Sequence, residues 1–131
     1  MKAYQGLECI EIIRWLPGNL HSAFKYLWRK DQKGFPVKDL KKALWYVQDF
    51  RKHCGHNLMS SARISSLIGS LGWKVVDAEP DPLVKEAMRG VLRLAILPNT
   101  RCFNTVESAI LQLIAREEAT PQMELLENGE K

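Results

Sequence analysis

Lysine and arginine side chains alternate with aromatic rings between residues 20 and 53. In α-helical projection they fall on one flank of each of two consecutive segments, beside an apolar stripe. The residues with this chemistry are Lys25, Trp28, Arg29, Lys41, Lys42, Trp45 and Tyr46. Guanidinium and ammonium groups bind phosphate oxygens, and flat rings stack on nucleobases. Because a nucleotide offers both groups, this pattern is typical of a surface that binds nucleotide or another phosphate-bearing small molecule.

The same residues also fit a plainer interpretation. Lys and Arg on the outer faces of amphipathic helices usually form only a solvated surface, and Trp28 and Tyr46 suit the edge of a core. Asp39 favours the positive end of a helix dipole and is placed to pair with Arg29 across the turn. Composition alone favours this plainer interpretation. A binding surface therefore requires that the two segments face a common side.

Apolar spacing predicts that both segments are helices. The first runs from Leu20 to about Asp31. The second begins at Pro36, which suits the first helical position, and ends near His53. Gly34 lets the chain reverse between them. The result is a helix-turn-helix at 20–53.

Further helices are predicted at 7–16, 57–71, 82–97 and from residue 104 onwards. Gly72 is expected to end the second of these, followed by an extended connector over 72–82. Asp81 is expected to cap the helix that begins at Pro82, and Asn104 with Glu107 has the spacing of a capping box at the start of the last helix.

The predicted fold class is all-α: a compact single-domain bundle of about five to six helices. One domain covers 1–116, comprising 4–53 and the additional helices of 57–116, and an acidic flexible tail covers 117–131. A length of 131 residues with 46% hydrophobic content supports one core. The broad apolar surface of helix 82–97 predicts a homo-oligomer interface.

The formal net charge of +4 is unevenly distributed. Residues 1–56 hold 11 Lys and Arg against 5 Asp and Glu, whereas residues 57–131 hold 8 against 10. Positive potential is therefore expected on the N-terminal half, where it attracts phosphate-bearing ligands or acidic partners.

Three features indicate a cytoplasmic protein. No apolar run is long enough to span a membrane, and Glu8 and Glu11 interrupt any apolar leader at the N-terminus. Cys9, Cys54 and Cys102 are odd in number and widely spaced, which favours reduced thiols.

Several sequence motifs with known chemistry are missing. The chain has no Walker-type phosphate loop, no G-x-S-x-G nucleophile motif and no H-E-x-x-H zinc motif. The "HCGH" motif at 53–56 has two histidines and a thiol, but no matching ligand pair occurs elsewhere, so no metal site is predicted. A histidine at a helix C-terminus, favoured by the dipole, is the preferred interpretation.

The segments "YQGLECIEIIRWL" and "FKYLWRKDQKGFPVKDLKKALWYVQDF", within residues 4–50, resemble a phage-borne family of small proteins. Some members are called nucleotide kinases, after a coliphage deoxynucleoside monophosphate kinase that lacks a Walker loop. The residues that carry the resemblance are Gly6, Glu8, Lys25, Tyr26, Leu27, Arg29, Asp39 to Ala43, Trp45 and Tyr46.

The resemblance implies phosphoryl transfer to a deoxynucleoside monophosphate, with Mg²⁺ arriving on a nucleoside triphosphate. The sequence departs from the family in two places. Of an opening "HPxHY" segment only Tyr4 is present, and His21-Ser22 stands where "GN" is usual. If the missing histidines take part in the chemistry, this chain binds nucleotide without turning it over.

Two other functions stay open. The first alternative is a non-catalytic phage protein that binds a nucleotide signal or a host protein, in counter-defence or host take-over. Nucleic-acid binding through the same basic flank is the less favoured alternative, because the net charge is only +4 and the tail is acidic.

Overall fold

The computed structural model describes residues 3–4, 7–8, 13–14, 16, 18–29, 36–53, 66 and 68–119. Within them the chain forms five α-helices: α1 (Gly18–Arg29), α2 (Pro36–His53), α3 (Trp73–Ala78), α4 (Pro82–Leu94) and α5 (Thr100–Ala119). A π-helical turn, Ile68–Gly72, runs directly into α3. The predicted all-α bundle is confirmed, and so are both helices of the predicted helix-turn-helix at 20–53. The predicted turn at Gly34 lies outside the described residues.

Local sequence signals set where two of these helices begin. Pro36 is the first residue of α2, where its missing N–H has no helical partner to lose. Before α4, the Asp81 carboxylate accepts a hydrogen bond of 3.0 Å from the Leu83 N–H, and Pro82 follows the cap. The predicted cap at Asp81 is confirmed.

Four of the helices form a closed ring in which each contacts two neighbours, in the order α1, α2, α5, α4. Neighbours run antiparallel: Asn19 near the start of α1 donates to Asp49 near the end of α2, at 2.9 Å. Arg116 near the end of α5 pairs with Asp81 at the start of α4, at 2.5 Å. In a ring with the order α1, α2, α5, α4, the pair α1–α2 lies across from the pair α5–α4. The groove between α1 and α2 is therefore on the opposite side of the bundle from the groove between α4 and α5.

The core lies inside this ring. Its fully buried large side chains are Trp28, Phe24, Leu20, Leu27, Leu40, Met88, Leu92, Leu94, Ile110 and Leu113. The apolar residues of α4 pack into this core of a single chain, whereas Leu97 just beyond it is 57% exposed. A homo-oligomer interface on this helix stays a prediction.

The predicted helix over 7–16 is wrong at its start. Leu7–Glu8 is a short strand that pairs antiparallel with Ala3–Tyr4, with Ala3 opposite Glu8 and Tyr4 opposite Leu7. Backbone pairing between neighbouring segments overrides the helical spacing of the apolar residues here. Most of the remainder of this predicted helix lies outside the described residues.

The predicted stop at Gly72 and the extended connector over 72–82 are also wrong. Gly72 has right-handed helical angles, φ −61° and ψ −47°, and the chain continues as α3 to Ala78. The β-branched pair Val75 and Val76 is fully buried. Burial of this pair stabilises a helix where local propensity favours an extended chain. Most of the predicted helix over 57–71 lies outside the described residues.

The last helix begins earlier and ends later than predicted. Asn99 precedes α5 and its side-chain oxygen accepts a hydrogen bond of 2.8 Å from the Cys102 N–H, so Asn99 is the cap. Asn104 and Glu107 instead bind Arg51 of α2, at 3.2 and 2.7 Å. The helix reaches Ala119, three residues into the predicted tail, and the rest of that tail lies outside the described residues.

No helix in the described part of the chain combines the length and the apolarity that crossing a membrane requires. This agrees with the sequence prediction that no helix spans a membrane.

Candidate functional site

Three cationic side chains surround the ring of Tyr26 on α1. The guanidinium carbon of Arg29 lies 4.8 Å from the ring centroid, the Lys42 Nζ 5.3 Å and the Lys25 Nζ 5.6 Å. Lys42 comes from α2, whereas the other two come from α1. The two helices therefore turn cationic residues toward a common side, as the sequence interpretation requires.

Two further rings from α2 extend this arrangement. Tyr46 stacks on Tyr26 with ring centroids 6.0 Å apart and planes at 11°. Trp45 meets Tyr46 edge-on at 5.1 Å, and its side chain is 57% exposed. We call the surface formed by Lys25, Tyr26, Arg29, Lys42, Trp45 and Tyr46 the Tyr26 face.

The Tyr26 face has positive charge that described carboxylates do not neutralise. Within the described ranges, no carboxylate oxygen lies within 4.0 Å of the nitrogens of Lys25, Arg29 or Lys42. Other basic residues of the same bundle are paired, as Arg51 is with Glu107 at 2.7 Å. Because each cation is partly offset by the ring but not by an anion, binding an anion here relieves repulsion.

The half-buried His21 lies one helical turn before Lys25 on α1. Burial lowers the pKa of His21 below its ordinary value of 6.5, and the charge of Lys25 lowers that pKa further. His21 is therefore favoured in its neutral form, in which one ring nitrogen accepts hydrogen bonds.

Two buried polar atoms near the turn between α1 and α2 lack a hydrogen-bond partner among the described residues. They are the Nε of Arg29, the last residue of α1, and the Oδ2 of Asp39 in the first turn of α2. Asp39 is only 4% exposed. The predicted tether between Asp39 and Arg29 is wrong, because no ion pair within 4.0 Å joins them. The expected position of Asp39 at the start of the helix is confirmed.

Two predicted site residues lie elsewhere. Trp28 is fully buried and packs near Phe24 with ring centroids 6.0 Å apart, so the prediction that it offers a stacking face is wrong. Because α1 contacts both α2 and α4, its buried sector is wider than one apolar stripe. Lys41 pairs with Glu118 of α5 at 3.3 Å, which separates it from Lys42 on the Tyr26 face.

Tyr26 is the residue that sequence reasoning did not assign to the site. On α1 it falls on a flank of the apolar stripe, about 100° from Lys25 and 60° from Arg29, and it packs partly buried against the core. The signal available in the sequence is its spacing of three residues before Arg29, which makes the two side chains neighbours on a helix. That Tyr46 would stack on it follows only from the packing of the two helices.

The described residues contain no group of three or more His, Cys, Asp or Glu that could hold a metal ion. His53, at the end of α2, contacts the Asp49 carboxylate through Nδ1 at 3.2 Å. The helix-terminal interpretation of the "HCGH" histidine is confirmed for His53. Residues 54–56 lie outside the described ranges.

Comparisons with known proteins found no similarity to this chain: no family model, no curated protein and no solved structure matches it.

Proposed function

We propose that the protein binds a nucleotide on the Tyr26 face. The observation that carries this proposal is the position of Lys25, Arg29 and Lys42 around one tyrosine ring. Three formal positive charges at 4.8 to 5.6 Å from a single ring, without a described counter-ion, suit a ligand with more than one negative charge.

The phosphates of the ligand contact the three cations. Arg29 offers a planar fork of N–H donors that matches phosphate oxygens in pairs. Lys25 and Lys42 act as point charges on either side.

The base of the ligand stacks on Trp45. Its indole is 57% exposed and meets Tyr46 edge-on, so much of the ring is accessible to a ligand, and Trp45 lies on the same helix as Lys42. Stacking on an aromatic side chain contributes about 1–3 kcal/mol and tolerates any base, because every base has a π-face. Nucleotides are therefore expected to bind more tightly than inorganic phosphates of equal charge.

Phosphoryl transfer, which the family resemblance implies, depends mainly on positioning and charge stabilisation. The Tyr26 face supplies cations for this purpose. Its side chains do not suit a protein-held metal, so Mg²⁺ arrives on the phosphates of a triphosphate. If no phosphate is transferred, the same face serves a protein that captures a nucleotide signal.

A thermal-shift screen against nucleoside mono-, di- and triphosphates tests binding. We expect at least one nucleotide to raise the melting temperature of the wild type. In Lys25→Gln/Arg29→Gln and in Trp45→Ala this shift is expected to be largely lost. Lys52→Gln is the matched control, because Lys52 is exposed on α2 but lies at the other end of the helix from Lys42.

A coupled kinase assay with the four deoxynucleoside monophosphates then separates the two uses of the site. Turnover that disappears in Lys25→Gln/Arg29→Gln supports phosphoryl transfer, and binding without turnover supports capture. A screen in which no nucleotide shifts the wild type, or in which the double variant responds like the wild type, would contradict the proposal.

A further inference from the structure

A second cationic site lies between α4 and α5, on the opposite side of the bundle from the Tyr26 face. It is a cavity of about 160 Å³, and its lining includes Arg89, Arg93, Arg101, Cys102 and Glu86. Arg89 and Arg93 are one turn apart on α4, and Arg101 comes from the first turn of α5. Three arginines from two helices therefore line one concave site.

The local packing explains how this cavity is held in shape. Gly90 is buried on α4, and a Cβ at that position would lie 2.2 Å from the Cγ2 of Val106 on α5. The two helices thus approach closely at Gly90, which lines the cavity together with Arg89 and Arg93. Asn99 fixes the start of α5 through its hydrogen bond to the Cys102 N–H, at 2.8 Å.

The arginines of this cavity are not neutralised by described carboxylates. Within the described ranges no carboxylate lies within 4.0 Å of Arg89, Arg93 or Arg101, although Glu86 lines the same cavity. Three arginines and one glutamate give the lining a formal charge of +2. By contrast, Arg116 of α5 pairs with Asp81 at 2.5 Å.

We infer that this cavity binds a phosphate or pyrophosphate group. Arginine forks match the oxygens of phosphate in pairs, and a phosphate monoester carries a charge of about −1.5 to −2, which complements the lining. The volume of about 160 Å³ is below the roughly 300–1,000 Å³ usual for drug-sized ligands. Among the described residues no aromatic side chain lines the cavity, so it recognises the phosphate rather than a base.

This site is independent of the Tyr26 face. The arginines lie on α4 and α5, whereas the Tyr26 face is formed by α1 and α2. The halves of the chain also differ in charge, and the arginine cavity belongs to the half with more acidic than basic residues. A result that contradicts nucleotide binding at the Tyr26 face therefore leaves phosphate binding in this cavity untouched. A result that contradicts phosphate binding in this cavity likewise leaves the nucleotide proposal untouched.

Calorimetric titration with inorganic pyrophosphate, at constant ionic strength, tests the inference. We expect binding to the wild type and a loss of about tenfold or more in affinity for Arg93→Gln/Arg101→Gln, because this variant removes two guanidinium forks that donate charged hydrogen bonds to phosphate. Arg93→Lys keeps the charge but not the fork and is expected to lose affinity as well. Lys52→Gln/Lys74→Gln removes two exposed charges elsewhere and should bind as the wild type does.

Cys102 provides a second, localised measurement. Tryptic cleavage after Arg101 and Arg116 yields a peptide in which Cys102 is the single cysteine. We expect pyrophosphate to slow alkylation of this thiol in the wild type but not in Arg93→Gln/Arg101→Gln. Inorganic phosphate and a nucleoside triphosphate are titrated in parallel. Their protection of Cys102, compared with that by pyrophosphate, shows which phosphate-bearing molecule binds most tightly in the cavity.

Two results would overturn the inference. One is the absence of pyrophosphate binding by the wild type. The other is an equal affinity for pyrophosphate in the wild type and in Arg93→Gln/Arg101→Gln, when circular dichroism shows that both proteins are folded. The same comparison is repeated in the Lys25→Gln/Arg29→Gln background, which removes two cations of the Tyr26 face, so that binding in this cavity is separated from binding at that face.

Discussion

At the scale of single residues, Tyr26 organises the candidate nucleotide site. Its ring lies within 5.6 Å of three cationic groups and stacks on Tyr46. Cation–π contact holds each positive group near the ring without cancelling its charge, since a ring is neutral overall. The cations therefore stay available to an anion. A carboxylate in place of Tyr26 would form ion pairs with these cations and neutralise their charge.

His21 gives a prediction at this scale. Its pKa is lowered in the fold, so the unfolded chain binds more protons as the pH falls below about 6.5 and the folded protein loses stability. This part of the stability is complete above the unfolded pKa and is lost on acidification. We expect His21→Gln to flatten the pH dependence of the free energy of unfolding between about pH 7 and pH 5.

Urea unfolding at several pH values measures this effect. Burial is the larger cause of the lowered pKa, so Lys25→Gln is expected to keep most of the pH dependence that His21→Gln removes. Parallel curves for the wild type and His21→Gln would show that the His21 pKa is not lowered by folding.

At the scale of elements, the close approach of α4 and α5 depends on Gly90. An added Cβ would lie 2.2 Å from Val106 Cγ2. Overpacking costs about 1–3 kcal/mol, more than the roughly 0.8–1.0 kcal/mol by which Ala is the better helix former. We therefore expect Gly90→Ala to lower the free energy of unfolding, measured by denaturant titration.

A double-mutant cycle gives this prediction a control. Val106→Ala alone leaves a cavity, whereas in Gly90→Ala/Val106→Ala the two changes compensate, so the double variant should lose less than the sum of the single losses. At Gly69, where an added Cβ meets nothing within 4 Å, substitution by Ala should cost no stability. Additive losses at Gly90 and Val106 would contradict the packing described.

The elements also show which sequence signals were sufficient. Pro36 and Pro82 act through their fixed backbone angle and Asp81 through its side-chain cap, all of which are local, so α2 and α4 begin where the sequence predicts. Gly72 is different, because glycine permits a helix end without requiring one, and buried Val75 and Val76 continue the helix. Asn99 and Asn104 are both good caps, and the choice between them depends on Arg51, which binds Asn104 from α2.

The same distinction holds for the candidate site. Lys25, Arg29, Lys42, Trp45 and Tyr46 follow from residue type and helical spacing. Whether Trp28 and Lys41 belong to the site depends on the neighbouring helices. Trp28 is buried on α1, which packs against both α2 and α4. Lys41 forms an ion pair with Glu118 of α5. The stacking of Tyr26 on Tyr46 joins two helices and so has no signature within either of them.

At the scale of the whole molecule, the ring of helices separates two cationic sites. The Tyr26 face combines cations with an exposed indole, whereas the described lining of the arginine cavity between α4 and α5 has three arginines, one glutamate and no aromatic ring. Net charge by halves of the chain conceals the second site, because acidic residues elsewhere in 57–131 outweigh its arginines in the count. Folding brings the arginines together, and of the described carboxylates in that half Glu86 lines the cavity.

Chemical-shift mapping tests the central claim most directly: a nucleotide is titrated into isotope-labelled protein and the perturbed amide and indole signals are assigned. We expect the largest changes at residues 25–29 and 42–46 and at the indole N–H of Trp45, identified by its absence in Trp45→Phe, with little change at the buried indole of Trp28. Perturbations absent from both segments, or confined to the arginines of α4 and α5, would contradict the assignment of the Tyr26 face as the nucleotide site.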